Sequence, residues 1–200
     1  MFVWYMKHSL LLNMRASKKK RAENYSFNSK MEYAPTGFID SQKSEGKDYR
    51  LANGYVKNNG CGAVALYNIF CMLKNRQAFS EVLHKCEDIV MLKGLMGCNS
   101  YRINEVLEKF GYRETESFNC AYKKRHVDKA MENKRFFIAT YWNSDSLFKG
   151  AHIVAGKLRE DGSVRVYNAK KKEYASFEQF KKERFGKRRF MALYGIKEDV

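Results

Sequence analysis

The residues best suited to chemistry are Asn58, Asn59, Gly60, Cys61, Gly62 and Ala63, where a polar loop runs into an apolar stretch. That stretch, CGAVALYNIFCML from Cys61 to Leu73, is apolar on nearly every side, which predicts a buried helix with Cys61 in its first turn. A thiol there lies near the positive end of the aligned peptide dipoles, so its thiolate is favoured and it gains nucleophilicity. The flanking glycines would let a substrate backbone come close, and N–H groups of the first turn could hold a developing oxyanion. Cys61 could equally be a small apolar residue opening a core helix, as is expected of Cys71.

A nucleophilic thiol needs a base, and the base needs an acceptor that orients it. Of the four histidines, His152 is the best placed, because it follows Gly150 and Ala151 and opens the strand HIVAGKL. His84 falls on the polar side of an amphipathic helix and His126 in the basic cluster KKRH, so both are expected to face solvent, while His8 belongs to the amino-terminal segment. Asp161 and Gly162 are a strong hairpin signal, and the returning strand ends in Val166, Tyr167 and Asn168. A hairpin carries the end of its second strand back beside the start of its first, so Asn168 is expected at the imidazole, fixing its tautomer. A structural histidine and an asparagine opening a loop would use the same residue types.

These residues need a frame. Ser80 caps a second helix that is expected to run through Leu92, and a third is expected from Arg102 to Phe110, stopped by Gly111. A short helix near His126 to Asn133 precedes RFFIATYW, Arg135 to Trp142, whose aromatic and β-branched content predicts a buried strand. Strands follow at His152 to Leu158, Val164 to Tyr167 and Phe190 to Ile196, with a helix beginning near Ser176. Helices first and an antiparallel sheet afterwards is the α+β pattern, and parallel winding is disfavoured. Residues 17–48 are polar, include Pro35, Gly37 and Gly46, and read as loop. Residues 1–48 are therefore expected to be a basic, partly disordered segment and residues 49–200 the ordered domain. Within that segment, Met1 to Met14 is read as a tail, a surface amphipathic stretch or an extended start.

Two hundred residues, 44% of them hydrophobic and 14% aromatic, suit one packed domain and exclude disorder throughout. The excess of 38 Lys and Arg over 22 Asp and Glu gives a net charge of +16, which attracts anions. That charge is spread over the whole chain. Its densest runs are Lys18, Lys19, Lys20 and Arg21, and Lys181, Lys182, Arg184, Lys187, Arg188 and Arg189. Short runs of this kind are solvated faces first and contacts to an anionic partner second. Five cysteines, Cys61, Cys71, Cys86, Cys98 and Cys120, contain no CxxC and point to reduced thiols in a cytoplasm. Four histidines without HExxH give no zinc site, and nothing calls for a cofactor. No apolar run reaches the roughly 20 residues of a membrane span. The basic cluster follows the first apolar residues, the reverse of a secretory signal.

A cysteine opening a central helix, further helices, a histidine at a strand start and an Asn on the next strand resemble the papain-like cysteine peptidases. The chain looks most like their compact bacterial branch, which includes the double-glycine leader peptidases of bacteriocin exporters. The motifs that carry this likeness are NNGCGAVALYNIF, NEVLEKFGY, RFFIATYW, GAHIVAGKL and VRVYN, spread over about Asn53 to Tyr194. The resemblance implies a papain-like fold, with a helical block around a central buried helix packed on a carboxy-terminal antiparallel sheet. It implies Cys61 as nucleophile, His152 as general base and then acid, and Asn168 as the orienting group. The family also places a glutamine a few residues before the cysteine to complete the oxyanion hole. None stands there; Gln42 is far upstream, so Asn58 or Asn59 is preferred, with Asn53 in reserve. Leader peptidases of this type are usually fused to a transporter, which leaves the substrate of this chain open.

Three functions compete. A cysteine hydrolase would cut a peptide or protein substrate, an acidic one if the basic surface steers it, through an acyl-enzyme. An acyl or amide transferase would use the same thioester. A non-catalytic basic module would leave Cys61 in the core and bind nucleic acid or an acidic protein, with Phe177, Phe180, Phe185 and Phe190 available for stacking. The spacing of those phenylalanines suits a core face better.

Overall fold

The computed structural model describes residues 1–31, 37–144, 150–186 and 189–198; Pro35, Lys187 and Arg188 lie outside the described residues. Along a strand, side chains alternate between the two faces of the sheet, and here both faces are buried. In β4 (Phe136–Trp142), Phe136 and Ile138 enter one apolar cluster while Phe137, Ala139 and Tyr141 enter the other. This is why the segment reads as an unbroken apolar run. β4 is flanked by β5 (Ala151–Leu158) and β8 (Phe190–Ile196). With β3 (Phe118–Ala121), β6 (Val164–Tyr167) and β7 (Glu173–Tyr174), the sheet runs β3-β8-β4-β5-β6-β7, every neighbour antiparallel.

Helix α4 (Cys61–Met72) lies on one face of this sheet and packs against β4 and β5. Ten of its twelve residues are buried, so something must cover the side that faces away from the sheet. That cover comes from α5 (Phe79–Cys86) and α6 (Ile103–Lys109), whose Val82, Leu83, Val106 and Leu107 join the same cluster. Each large side chain fully buried there stabilises the fold by about 1.5–3 kcal/mol. On the opposite face lie α7 (Val127–Met131) and α8 (Phe177–Arg184), the latter capped by Ser176, whose Oγ accepts from Gln179 N at 3.1 Å. Phe180 and Phe185 are fully buried on this face and so cannot stack on bases. The observed class is mixed helix and sheet, as the α+β reading expects.

Three local expectations are corrected. The second helix does not reach Leu92: it ends at Cys86, and Leu92 and Lys93 both take positive φ, at 46° and 56°, which no α-helix accommodates. Its N-cap is Ala78 and not Ser80. Residues 17–48 are not all loop, because α2 (Lys18–Ser29) forms there, with Ser17 Oγ accepting from Lys20 N at 3.2 Å. Nor does the ordered body start at Tyr49. A further helix, α1 (Phe2–His8), precedes α2, and Ala16, Asn24, Asn28, Ile39 and Gln42 are all buried.

Apolar patterning misses α2 because buried amides hold it. Asn28 Nδ2 donates to Arg50 O and Asn28 Oδ1 accepts from Arg50 N, both at 2.9 Å, so this side chain pairs with β1 (Arg50–Leu51) as a strand would. β1 itself pairs with β2 (Gly54–Tyr55). Asn24 Nδ2 donates to Ala52 O at 2.8 Å and to Glu87 Oε1 at 2.7 Å, and Ala52 N donates to the same Glu87 oxygen at 2.9 Å. Asp88 then gathers Arg15, Arg21 and Lys109 at 3.0, 2.6 and 2.5 Å. Burial works against its carboxylate, but Lys109 first and then the two arginines hold it below the usual carboxylate range.

Replacing Glu87 by Ala leaves two buried donors without an acceptor, each costing about 1–3 kcal/mol. The expected outcome is a loss of about 2–4 kcal/mol in urea unfolding, with Glu87→Gln, which keeps one acceptor oxygen, losing less. Equal midpoints for Glu87→Ala and the parent chain would show that this carboxylate does not anchor α2.

Candidate active site

Helix α3 (Val56–Asn59) runs directly into α4 through Gly60, whose N–H bonds Val56 O at 2.9 Å. A Cβ on Gly60 would sit 2.7 Å from Val56 Cα, and one on Gly62 2.6 Å from Cys98 Cβ. The two glycines therefore let the protein pack against itself. They do not leave room for a substrate backbone, which corrects the expectation from sequence. Cys61, between them, is half-buried.

The strands create the place that this thiol occupies. β5 pairs with β6 only from Ala155↔Tyr167 to Leu158↔Val164, so residues 151–154 extend beyond their partner. The first turn of α4 comes to that edge. There the His152 ring and the N–H groups of Ile153 and Gly62 act on the Cys61 sulfur. Val64 N donates to Gly60 O at 3.0 Å, so the N–H groups of residues 61–63 have no carbonyl partner within α4.

Asn168 follows β6 with φ at 59°, in the left-handed region that Asn tolerates better than most residues. That conformation turns its carbonyl toward His152, whose Nε2 donates to Asn168 O at 2.5 Å. Nε2 thus carries the proton, which leaves Nδ1 to face the thiol. The sequence leads to Asn168 as the orienting residue through its side chain, whereas the atom that meets the ring is its main-chain oxygen. The side chain is bound elsewhere: Nδ2 donates to Gln42 Oε1 at 2.9 Å and Oδ1 accepts from Gln42 N at 3.0 Å.

Gln42 is the residue that sequence reasoning missed. It is buried, and its Nε2 donates onward to Val56 O at 3.2 Å and Lys57 O at 3.3 Å, tying Asn168 to the helix that leads into Cys61. Its own loop is pinned by α4, where Asn68 Oδ1 accepts from Ile39 N at 2.8 Å and Asn68 Nδ2 donates to Ile39 O at 3.0 Å. Of the two amides expected at the oxyanion, that of Asn59 is engaged elsewhere. The Asn59 amide donates to Gly94 O at 3.1 Å, and Asn58 and Asn53 are exposed. His126 is exposed as expected, but His84 is half-buried beneath Tyr25 of α2, with ring centroids 4.7 Å apart.

The electrostatics move the two groups toward an ion pair. Burial opposes a thiolate at Cys61, but the hydrogen bond and charge of His152 outweigh it. With the Ile153 and Gly62 N–H groups, they bring the thiol below its ordinary value of 9.0. Burial also opposes a charged His152, yet the bond to Cys61, its charge and the Asn168 carbonyl raise the imidazole above 6.5. Other thiols move the opposite way, for burial raises Cys86 and pushes Cys120 up to about 12. Tyr141, opposite His152 in the sheet with ring centroids 6.4 Å apart, is pushed by burial up to about 12 and stays protonated. Among the described residues, no three His, Cys, Asp or Glu side chains gather as metal ligands would.

With His152 replaced by Ala, only burial and two N–H groups act on the thiol, so Cys61 should titrate upward. Labelling by iodoacetamide at pH 6 is expected to fall at least about tenfold, while Cys71→Ala leaves it unchanged. Asn168→Gly keeps the carbonyl and suits the positive φ. It should preserve labelling at pH 6 while costing about 1–3 kcal/mol in stability through the lost Gln42 pairing. Loss of labelling in Asn168→Gly, with the fold intact, would assign the orienting role to the side chain. Compared with known proteins, the chain matches no family model and no curated sequence.

Proposed function

We propose that this chain is a cysteine hydrolase of papain-like architecture that cleaves amide bonds in peptides or proteins. The observation that carries this reading is the pairing of a half-buried Cys61 with His152, their titrations displaced in opposite directions, and Asn168 O bonded to the far ring nitrogen. In the first step the Cys61 thiolate adds to the substrate carbonyl, forming a C–S bond and moving the carbonyl electron pair onto oxygen. The N–H groups at the start of α4 supply stabilisation to that oxygen. His152 then passes its Nδ1 proton to the leaving nitrogen, the C–N bond breaks, and a thioester remains. Water gives a proton back to Nδ1, attacks the thioester, and releases the acid and the thiolate.

The hydrolase reading is favoured over the basic module by the use the fold makes of its charges. Lys181 is buried and bonded to Asp128 and Glu178, and Arg184 Nε donates to Tyr174 Oη at 2.6 Å. Five free thiols fit a reducing cytoplasm, and no helix among the described residues is long and apolar enough to cross a membrane. Acyl transfer would share every step up to the thioester. The excess of basic residues favours acidic peptides by steering, an effect that fades above about 0.15 M salt.

A peptide library incubated with the parent chain is expected to yield hydrolysed products and a transient acyl adduct on Cys61, seen by mass spectrometry. Cys61→Ala and His152→Ala should abolish both. The pH profile of kcat/KM should be bell-shaped. Its acid limb, set by thiolate formation, should lie below the ordinary thiol value, and its alkaline limb, set by loss of the imidazolium proton, above the ordinary histidine value. Cleavage that survives Cys61→Ala would refute the proposal, and transferred acyl groups without hydrolysis would convert it to a transferase.

A further inference from the structure

Helix α1 and the turn after it carry their apolar groups outward. A surface helix ordinarily gives its polar side to water. Here Phe2, Trp4 and Tyr5 are 64%, 67% and 51% exposed, and Leu10 and Leu11 beyond the helix are 90% and 68% exposed. The backbone joins this segment to the loop at 92–96. Leu92 N donates to Leu12 O at 2.9 Å, Lys93 N to Met14 O at 2.7 Å, and Asn99 Nδ2 to Met6 O at 2.7 Å. Leu95, 72% exposed, therefore continues the same surface. Among the described residues, nine of the thirteen large apolar side chains classed as exposed lie within 1–14 and 95–96. Such a concentration marks a place of contact with something else.

The charge around it says with what. Residues 1–22 contain six Lys and Arg and no Asp or Glu. Arg15 and Arg21 are taken by Asp88, and Lys7 lies over the Tyr122 ring, 4.7 Å from its centroid. Lys18 and Lys19 in the first turn of α2 are exposed, as is Lys93 beside Leu95. Nucleic acid would match the lysines and leave Leu10 and Leu11 against phosphate. An apolar protein face would cover the leucines and leave the lysines unmatched. A bilayer with anionic headgroups satisfies both, because aromatic and aliphatic side chains settle at the boundary of headgroups and acyl chains while lysines reach the phosphates.

We propose that α1, the turn at 10–14 and the loop at 92–96 form a docking surface for the anionic face of a lipid bilayer. The docking is peripheral, independent of the hydrolase reading, and built on groups that the chemistry at Cys61 does not use.

The test is co-sedimentation of the full chain with phosphatidylcholine vesicles, with and without phosphatidylglycerol. Binding is expected to the mixed vesicles and to weaken with salt. Lys18→Gln, Lys19→Gln and Lys20→Gln together should lower the partition coefficient on the order of a hundredfold. Leu10→Ser with Leu11→Ser should reduce binding at least about tenfold. In a Trp142→Phe background the remaining Trp4 emission should shift to the blue on vesicles and become shielded from an aqueous quencher. Apart from half-buried Lys20 and Trp142 these substitutions lie at exposed positions, and unchanged thermal unfolding will show that the fold is kept. Three results would overturn the proposal: no binding to mixed vesicles, binding that the leucine substitutions leave unchanged, or self-association in sedimentation velocity that those substitutions abolish while vesicles are not bound.

Discussion

The candidate site depends on one main-chain oxygen. Asn168 O fixes which nitrogen of His152 carries the proton, and through that the direction in which the ring meets Cys61. The oxygen is in place because β6 parts from β5 after Tyr167 and the chain turns with a left-handed residue. A main-chain acceptor is held by the backbone on either side of it and has no rotamer to lose. Its cost is a positive φ at a residue with a side chain, and the two bonds to Gln42 offset that cost.

Buried amides recur as clamps in this fold. Asn28 bonds both main-chain groups of Arg50, Asn68 both of Ile39, and Asn168 the main chain and side chain of Gln42. Each uses one acceptor and one donor against a complementary pair, the pattern of a single rung of a sheet. The polar segment before Tyr49 is fastened to the helical and sheet layers in this way, with little apolar surface of its own. Removing either partner would strand a buried polar group, so the clamps make each docking position specific as well as stable.

This explains which features were legible in the sequence. α4, α6, α8 and the strands β4, β5, β6 and β8 announce themselves through apolar periodicity, an Asp-Gly turn or a serine cap, and the structure places them within a residue or two of expectation. The meeting of Cys61, His152 and Asn168 could be anticipated because it follows from a helix start and a hairpin. α2 and Gln42 could not, since their positions rest on long-range amide bonds that leave no periodic trace. Nearness along the chain singles out Asn58 and Asn59, but the contact that takes the Asn59 amide to Gly94 O leaves no trace in sequence spacing. β3 and β7, at four and two residues, are too short for alternation to register and lack the Asp-Gly turn that marks β6.

The strand order holds one more consequence. β8, formed from residues 190–196, lies between β3 and β4, which pair with it and not with each other. A polypeptide that ends before residue 190 holds Cys61, His152 and Asn168, yet has a slot in the middle of its sheet. Until the closing strand slides in, the central layer under α4 is two separate pieces. The six-stranded sheet is thus a single layer only once residues 190–196 are in place.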